Sequence, residues 1–567
     1  MIRVGNASGF YGDRFSAVRE MLEGGELDYL TGDYLAELTM LILGRDKLKN
    51  PDLGYAKTFL RQMEDSLGLA VDRGVKIVVN AGGLNPHGLA VALRELAEKL
   101  DVDASVGFVC GDDLLPRAQA LGLGNPLTAN AYLGAFGIKE ALDAGADVVV
   151  TGRVTDASLA IGAAASAHGW GYDDLDALAG ATVAGHIIEC GAQATGGNYA
   201  FFTEIPAMTR IGFPIAEIAA DGSSVITKHD GTDGAVTVGT VTAQLLYEIG
   251  GPRYLGPDVT TRLDTIELAQ VGPDRVSVSG VRGEAPPSTV KVSLNYLAGL
   301  RNEINVVLTG LDVDAKAALF TEQFEAALPT RPESMEWTLS RLDRPDAATE
   351  EQASALLRCV VRDTDPSIVG RTFTSTAVEL ALASYPGFTM TAPPGNGSPY
   401  GVFEPGYVDA AEVEHRVAFP SGVVQRIDPS PLRGRPAADE PTEVAVVARD
   451  WGPTRSVPLG LIAGARSGDK GGSANIGVWV RDRDQFDWLN ATLDVDLLRS
   501  LLPEVAELTV HRYPLPNLLA INFVIEGILG RGVADNVRFD PQAKGLGEWL
   551  RSRNVDVPER FLGGVDG

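Results

Sequence analysis

Five short apolar runs punctuate the first 200 residues, at 3–4, 27–30, 75–79, 106–110 and 147–150. Each is followed by a small polar loop. A helical pattern follows most of these loops, as in NAGGLNPHGLAVALRELAEKL after the third run and TGRVTDASLAIGAAASA after the fifth. Apolar runs without alternation belong to strands covered on both faces. Their strand–loop–helix order predicts a mainly parallel sheet flanked by helices. From 201 to about 307 the pattern changes to strands separated by Gly, Asp and Pro turns, with one helix expected at 235–248 and mixed patterns continuing to 386. A Pro-rich connector, PSPLRGRPAADEP at 429–441, precedes a self-contained segment. That segment reads as strand 459–463, a glycine-rich loop, strand 475–481, helix 486–502, strands 507–513 and 519–529, and helix 542–551. The expected architecture is therefore α/β: a large two-lobed N-terminal region with a mainly parallel sheet, plus a small C-terminal α+β domain. The expected boundaries are a parallel lobe at 1–200 carrying the candidate site loops, a mixed lobe at 201–428, a linker at 429–455 and the α+β domain at 456–567.

Composition narrows the function more than the fold. The formal charge of −27 argues against nucleic acid and anionic membrane as partners. The three cysteines, Cys110, Cys190 and Cys359, are far apart and lack metal-site spacing, as in a reducing compartment. No leader pattern and no long apolar run is present, so a cytoplasmic protein is expected, with no membrane span. A small-molecule substrate and a homo-oligomer are the expected partners.

Candidate chemistry gathers in the loops that leave the first-lobe strands, because those loops share one side of a parallel sheet. They carry Asn6 and Ser8, Asp33, Asn80 with Gly82 and Gly83, and Gly152, Arg153, Thr155 and Asp156. Helix capping explains single Ser, Thr, Asp or Asn residues, but not the glycine pairs or an arginine at a strand end. Arg153 suits a carboxylate or phosphate; an internal Arg153–Asp156 ion pair is the competing reading. Further on, His186 and Glu189 share a helix face, with Cys190 beside them. A metal pair, a proton-transfer pair, a nucleophilic thiol and a buried structural cysteine all fit. Lys228–Gly234 (KHDGTDG) reads as a turn, or as a site using His229 or Asp230. GARSGDKGGSANIGV at 464–478 offers Arg466 and Lys470 among glycines. It reads either as a loop whose N–H groups hold an anion or as a glycine-rich hairpin that packs one domain on another. It lacks the P-loop order. No dinucleotide fingerprint follows the first strand, and no nucleophile elbow is present.

VGNASGFYGDR, LTGDYLAELTM, NAGGLNP, VTGRVTDASL, GHIIECGAQATGGN and GARSGDKGGSANIG together resemble the acyclic terpene utilisation protein A family over almost the whole chain. The resemblance implies a large N-terminal part followed by a ferredoxin-like domain. It also implies a place in the catabolism of citronellol- or geraniol-type isoprenoids, where branched acids are handled as CoA thioesters. The expected function is an enzyme of hydratase or lyase type. Asp33, Asp156, Glu189 or Cys190 would carry the chemistry. Asn6, Ser8, Asn80, Gly82, Gly83, Gly152, Arg153 and Thr155 would line the substrate, and Arg466 and Lys470 would bind an anion. The alternatives are a non-catalytic partner of an acyl-CoA carboxylase and a hydrolase. No cofactor or metal is assigned; a CoA thioester enters as candidate substrate.

Overall fold

The computed structural model describes residues 1–434, 444–447 and 449–563. The apolar runs become β1 (Ile2–Asn6), β2 (Tyr29–Gly32), β3 (Lys76–Val79), β4 (Val106–Cys110) and, after a short β5 (Thr128–Ala131), β6 (Val148–Thr151). These strands, β5 excepted, are parallel neighbours in the order β1-β2-β3-β6-β4. Because β6 lies between β3 and β4, the loops leaving β2, β3 and β6 emerge side by side. Val148, Val149 and Val150 are almost wholly buried, as a strand covered on both faces requires. The sheet continues antiparallel past β1 through β7 (Pro214–Ile218) and β8 (Ser224–Lys228), and past β4 through Arg416–Ala418.

Helices α1 (Ala17–Gly24), α2 (Glu37–Lys49), α3 (Lys57–Asp72), α4 (Pro86–Leu100), α5 (Phe136–Asp143), α6 (Ser158–His168) and α7 (Leu175–Ile188) connect the strands. α7 is apolar around its whole circumference and is buried from Leu178 to Ile188, as such a helix must be. A Cβ on its Gly185 would lie 2.9 Å from the Ala157 Cα, so glycine there lets α7 approach the start of α6. That contact places His186 beside the loop carrying Asp156. The helix expected at 235–248 is shorter, α8 (Val238–Leu245), because a Thr237–Thr240 capping box starts it.

The described residues divide into two compact units. One comprises those of Met1–Asn295, Phe403–Val533 and Asp540–Gly567; the other comprises Tyr296–Val402 with Ala534–Phe539. The long β9 (Thr289–Thr309) enters the second unit, where it pairs with Ser354–Asp363. Helix Val313–Ala327 packs there with Phe320 and Phe324 against Trp337 and Phe373. Three arginines of this unit hold the 534–539 segment by its backbone. Arg301 donates to the Ala534 and Asn536 carbonyls, Arg358 to Val537 and Arg362 to Asp535.

The C-terminal α+β domain contains β10 (Gly464–Lys470), β11 (Ser473–Trp479), α9 (Arg483–Thr492), α10 (Val495–Leu501), β12 (Val510–Leu515), β13 (Ala520–Ile525) and α11 (Leu546–Arg551). Its sheet is antiparallel, in the order β10-β11-β13-β12. Two local expectations are corrected here. The glycine-rich stretch is no loop but the β10–β11 hairpin itself, while 459–461 is a 3₁₀ turn. The helix expected at 486–502 is two helices, because the Asp494 side chain accepts from the Leu497 N–H and starts a new one. Of the connector, residues 435–443 and 448 lie outside the described residues. No helix among the described residues is long and apolar enough to cross a membrane.

Candidate active site

The polar loop residues divide into a frame and a reactive cluster. Asn6 ends β1, and its amide donates to the Ile188 (2.7 Å) and Glu189 (3.0 Å) carbonyls, tying that strand to the end of α7. The Ser8 carbonyl accepts from the Asp33 N–H at 2.9 Å, and the Ser8 hydroxyl donates to the Phe10 carbonyl. Asn80, fully buried, accepts from the Tyr34 N–H at 2.7 Å and donates to Asp33 Oδ1. A Cβ on Gly82 would lie 2.5 Å from the Thr151 carbonyl oxygen; one on Gly152 would lie 2.4 Å from Asp112 Oδ1. Gly83 has φ +53°, and its N–H donates to the Asn80 carbonyl. The Thr155 hydroxyl meets Ser158 at 2.5 Å. Glycine at 82 and 152 thus serves close approach between loops, while the Gly83 and Gly152 N–H groups have protein acceptors.

Within this frame sit Asp33, Arg153, Asp156, Glu189 and Cys190, which the structure brings together. Arg153 is 3% exposed. Its guanidinium lies 2.8 Å from Asp156 Oδ1, donates to the Leu35 carbonyl at 3.2 Å and covers the Tyr132 ring at 4.3 Å. Its backbone N–H donates to Asp112, a buried carboxylate that desolvation pushes up to about 6. Burial, and then the charge of Asp156, push the Asp33 carboxyl well above its ordinary range, against the pull of Arg153 and Asn80. Burial followed by Asp156 and Glu248 does the same to Glu189. His186 Nδ1 is 3.1 Å from Glu189 Oε1, and desolvation lowers its pKa to about 4, so the ring is neutral near pH 7. Glu189 Oε2 is buried without a hydrogen-bond partner, while the His186 ring meets the Leu245 carbonyl. Buried polar atoms are ordinarily satisfied, so an unsatisfied carboxylate oxygen here marks a place where another molecule makes the bond. The His186 ring is 5.3 Å from that of Tyr254, whose hydroxyl burial holds protonated. Burial and the surrounding carboxylates hold the Cys190 thiol well above its usual value. No three His, Cys, Asp or Glu side chains gather to hold a metal among the described residues.

The Tyr132 ring also lines a small cavity of about 30 Å³, with Asp258, His415 and Arg433 on its walls. It has room for about one or two waters. His229 belongs elsewhere: its Nε2 meets the Met21 carbonyl, and the glycines at 24 and 25 pack on its ring, as in a structural turn.

Arg466 and Lys470 lie on β10, against the segment that follows α8. Arg466 covers the Tyr247 ring at 4.4 Å and donates to Gln193. Lys470 Nζ donates to the Glu248 carbonyl at 2.9 Å. The hairpin glycines are contact points: a Cβ on Gly468 would meet Tyr247 at 2.5 Å, and one on Gly477 would meet Leu246 at 2.4 Å. Sequence reading passed over Glu248, Tyr254, Asn475 and Asn522. For the asparagines a signal existed, since each interrupts an apolar strand, SANIGVW and AINFVI. For Glu248 and Tyr254, distant in sequence from every motif, none did.

Residues 2–419 match the family model described as acyclic terpene utilisation family protein AtuA, and residues 457–556 match that of the AtuA ferredoxin-like domain. No curated protein and no solved structure matches the chain.

Proposed function

The chain belongs to the acyclic terpene utilisation AtuA family, and from that premise we propose that it is an enzyme adding water to, or removing it from, a branched isoprenoid acyl-CoA thioester. One observation carries the reading: three carboxylates of unlike environment, Asp33, Asp156 and Glu189, surround one buried guanidinium. Hydration of a 2-enoyl thioester needs a base for the water proton and an acid for the α-carbon. Carboxylates whose environments push their proton affinities apart fit those two roles. Asp156, the most open of the three, takes the proton as the water oxygen bonds to the β-carbon. The C=C electron pair moves onto the thioester as an enolate. Glu189, held protonated by burial, returns a proton to the α-carbon. Arg153 stabilises the enolate oxygen, a charge-assisted contact formed where water is scarce. Carbon–carbon cleavage of a 3-hydroxy thioester would use the same groups in the same sense: Asp156 takes the hydroxyl proton as the bond between the α- and β-carbons breaks, and Glu189 protonates the α-carbon of the thioester enolate that is released. A protonated, buried thiol is a poor nucleophile, which disfavours a hydrolase acting through Cys190.

The test is incubation of the full chain with branched 2-enoyl-CoA and 3-hydroxyacyl-CoA thioesters, followed by mass spectrometry of the thioester products. Gain or loss of one water, abolished by Glu189→Gln, supports the proposal. Free CoA as product, with no hydrated species, would replace it with thioester hydrolysis.

A further inference from the structure

We propose that Glu248 is a fourth carboxylate of the active site, and that Asn475 and Asn522 of the ferredoxin-like domain are the positioning residues that hold it there. The catalytic part of this proposal rests on the hydration reading; the placement does not.

Glu248 follows α8 with φ +55°, a left-handed conformation that a side chain larger than Asn or Asp rarely adopts. Such a conformation persists when its surroundings over-determine it, and here they do. The Glu248 N–H donates to Asn475 Oδ1 at 3.0 Å, and Asn475 Nδ2 donates to the Leu246 carbonyl at 2.7 Å. Asn475 Nδ2 also reaches Asn522 Oδ1 at 2.9 Å, and the Asn522 amide donates to the Gly250 carbonyl. Both asparagines are fully buried in mid-strand. Lys470 adds a bond to the Glu248 carbonyl. The two domains therefore fix the backbone from 246 to 250 by five hydrogen bonds from three side chains.

The side chain hydrogen-bonds Tyr247 and lies within electrostatic reach of the reactive cluster. A Cβ on Gly468 would lie 3.0 Å from Glu248 Cγ, which places that carbon under the hairpin. From there the carboxylate acts electrostatically on His186, Glu189, Cys190, Tyr247 and Tyr254. The His186 ring and the unsatisfied Glu189 Oε2 are in the same neighbourhood, on side chains 4% and 10% exposed. Asp33, Asp156, Arg153 and Lys470 are the other charged groups around them. Stability alone would not select this arrangement, since an uncapped turn ending in glycine would dock the same hairpin without strain. A carboxylate fixed by strained backbone within electrostatic reach of a neutral histidine is placed to share in proton transfer.

The experiment uses the full chain and the branched thioesters named above. Glu248→Gln is expected to lower kcat at least about a hundredfold, the lower end of acid–base contributions, and to shift the pH profile. Asn475→Ala is expected to do the same while the Glu248 amide exchanges faster with deuterium. The double variant should be no worse than Glu248→Gln alone. Wild-type kcat and pH profile in Glu248→Gln would overturn the proposal. If the wild type turns over none of the thioesters, the hydration reading fails, and placement is read from the pH dependence of Cys190 alkylation, followed by mass spectrometry. Removing the Glu248 charge should move that titration to lower pH; an unmoved titration overturns the placement.

Discussion

Arg153 and Arg466 look alike in sequence, each a lone arginine in a glycine-containing stretch, and they look alike in local geometry. Both are buried, and both cover a tyrosine ring, at 4.3 and 4.4 Å. Their company differs. Arg153 stands among Asp156, Asp33 and Glu189, where polar atoms remain unsatisfied. Arg466 binds the neutral Gln193 across a face whose buried asparagines are fully bonded. An arginine within unfinished polar contacts is placed for a ligand; one within completed contacts is placed for docking.

The largest effect expected from breaking this comparison is at Glu189. Glu189→Gln should cost about 10²–10⁴ in turnover, measured on the hydrated thioester. The same change should raise the melting temperature at pH 8. The folded-state affinity of Glu189 for its proton is above the unfolded value, so its contribution to stability is full at low pH and lost as pH rises. The advantage of the glutamine variant should therefore vanish below about pH 4.3, where an unfolded glutamate is protonated. Next comes Arg153→Lys, which keeps the charge but loses the planar fork. Loss of charged hydrogen bonds worth about 1.5–3 kcal/mol predicts roughly a 10- to 100-fold fall in kcat/KM. Gly468→Ala, on the docking side, should destabilise by about 1–3 kcal/mol through overpacking against Tyr247, read by denaturant titration. Lys470→Ala is the smallest, within about 0.5 kcal/mol, because the side chain is exposed. Calorimetry with free CoA then sharpens the comparison: weaker binding in this variant marks a phosphate contact, and unchanged binding leaves docking as the role of the hairpin.

The five parallel strands were legible because short runs such as VKIVV are β-branched and are followed by polar loops, whereas a buried apolar helix such as α7 runs longer. The strand-end cluster was legible because a parallel sheet puts those loops on one side. What the sequence hid was decided by partners far along the chain. GARSGDKGGSANIGV reads as a loop from its glycines, yet Gly468 and Gly477 are where Tyr247 and Leu246 press on two strands. Gly82 and Gly152 read as lining a substrate, yet they make room for the Thr151 carbonyl and the Asp112 carboxylate. Glu248 carries no local mark at all, because its conformation is imposed by residues 227 positions away.

The 534–539 segment has a consequence in time. Arg301, Arg358 and Arg362 are made early, but the carbonyls they bind leave the ribosome only near the end of synthesis. Domains ordinarily fold in the order they are made. Here the middle of the chain completes its contacts only with its last tenth; until then the three guanidiniums have only their nearer partners, Glu303 for Arg301 and Arg358 and Glu336 for Arg362. A nascent chain stalled before residue 534 should therefore be protease-sensitive between 296 and 402, long after those residues have emerged.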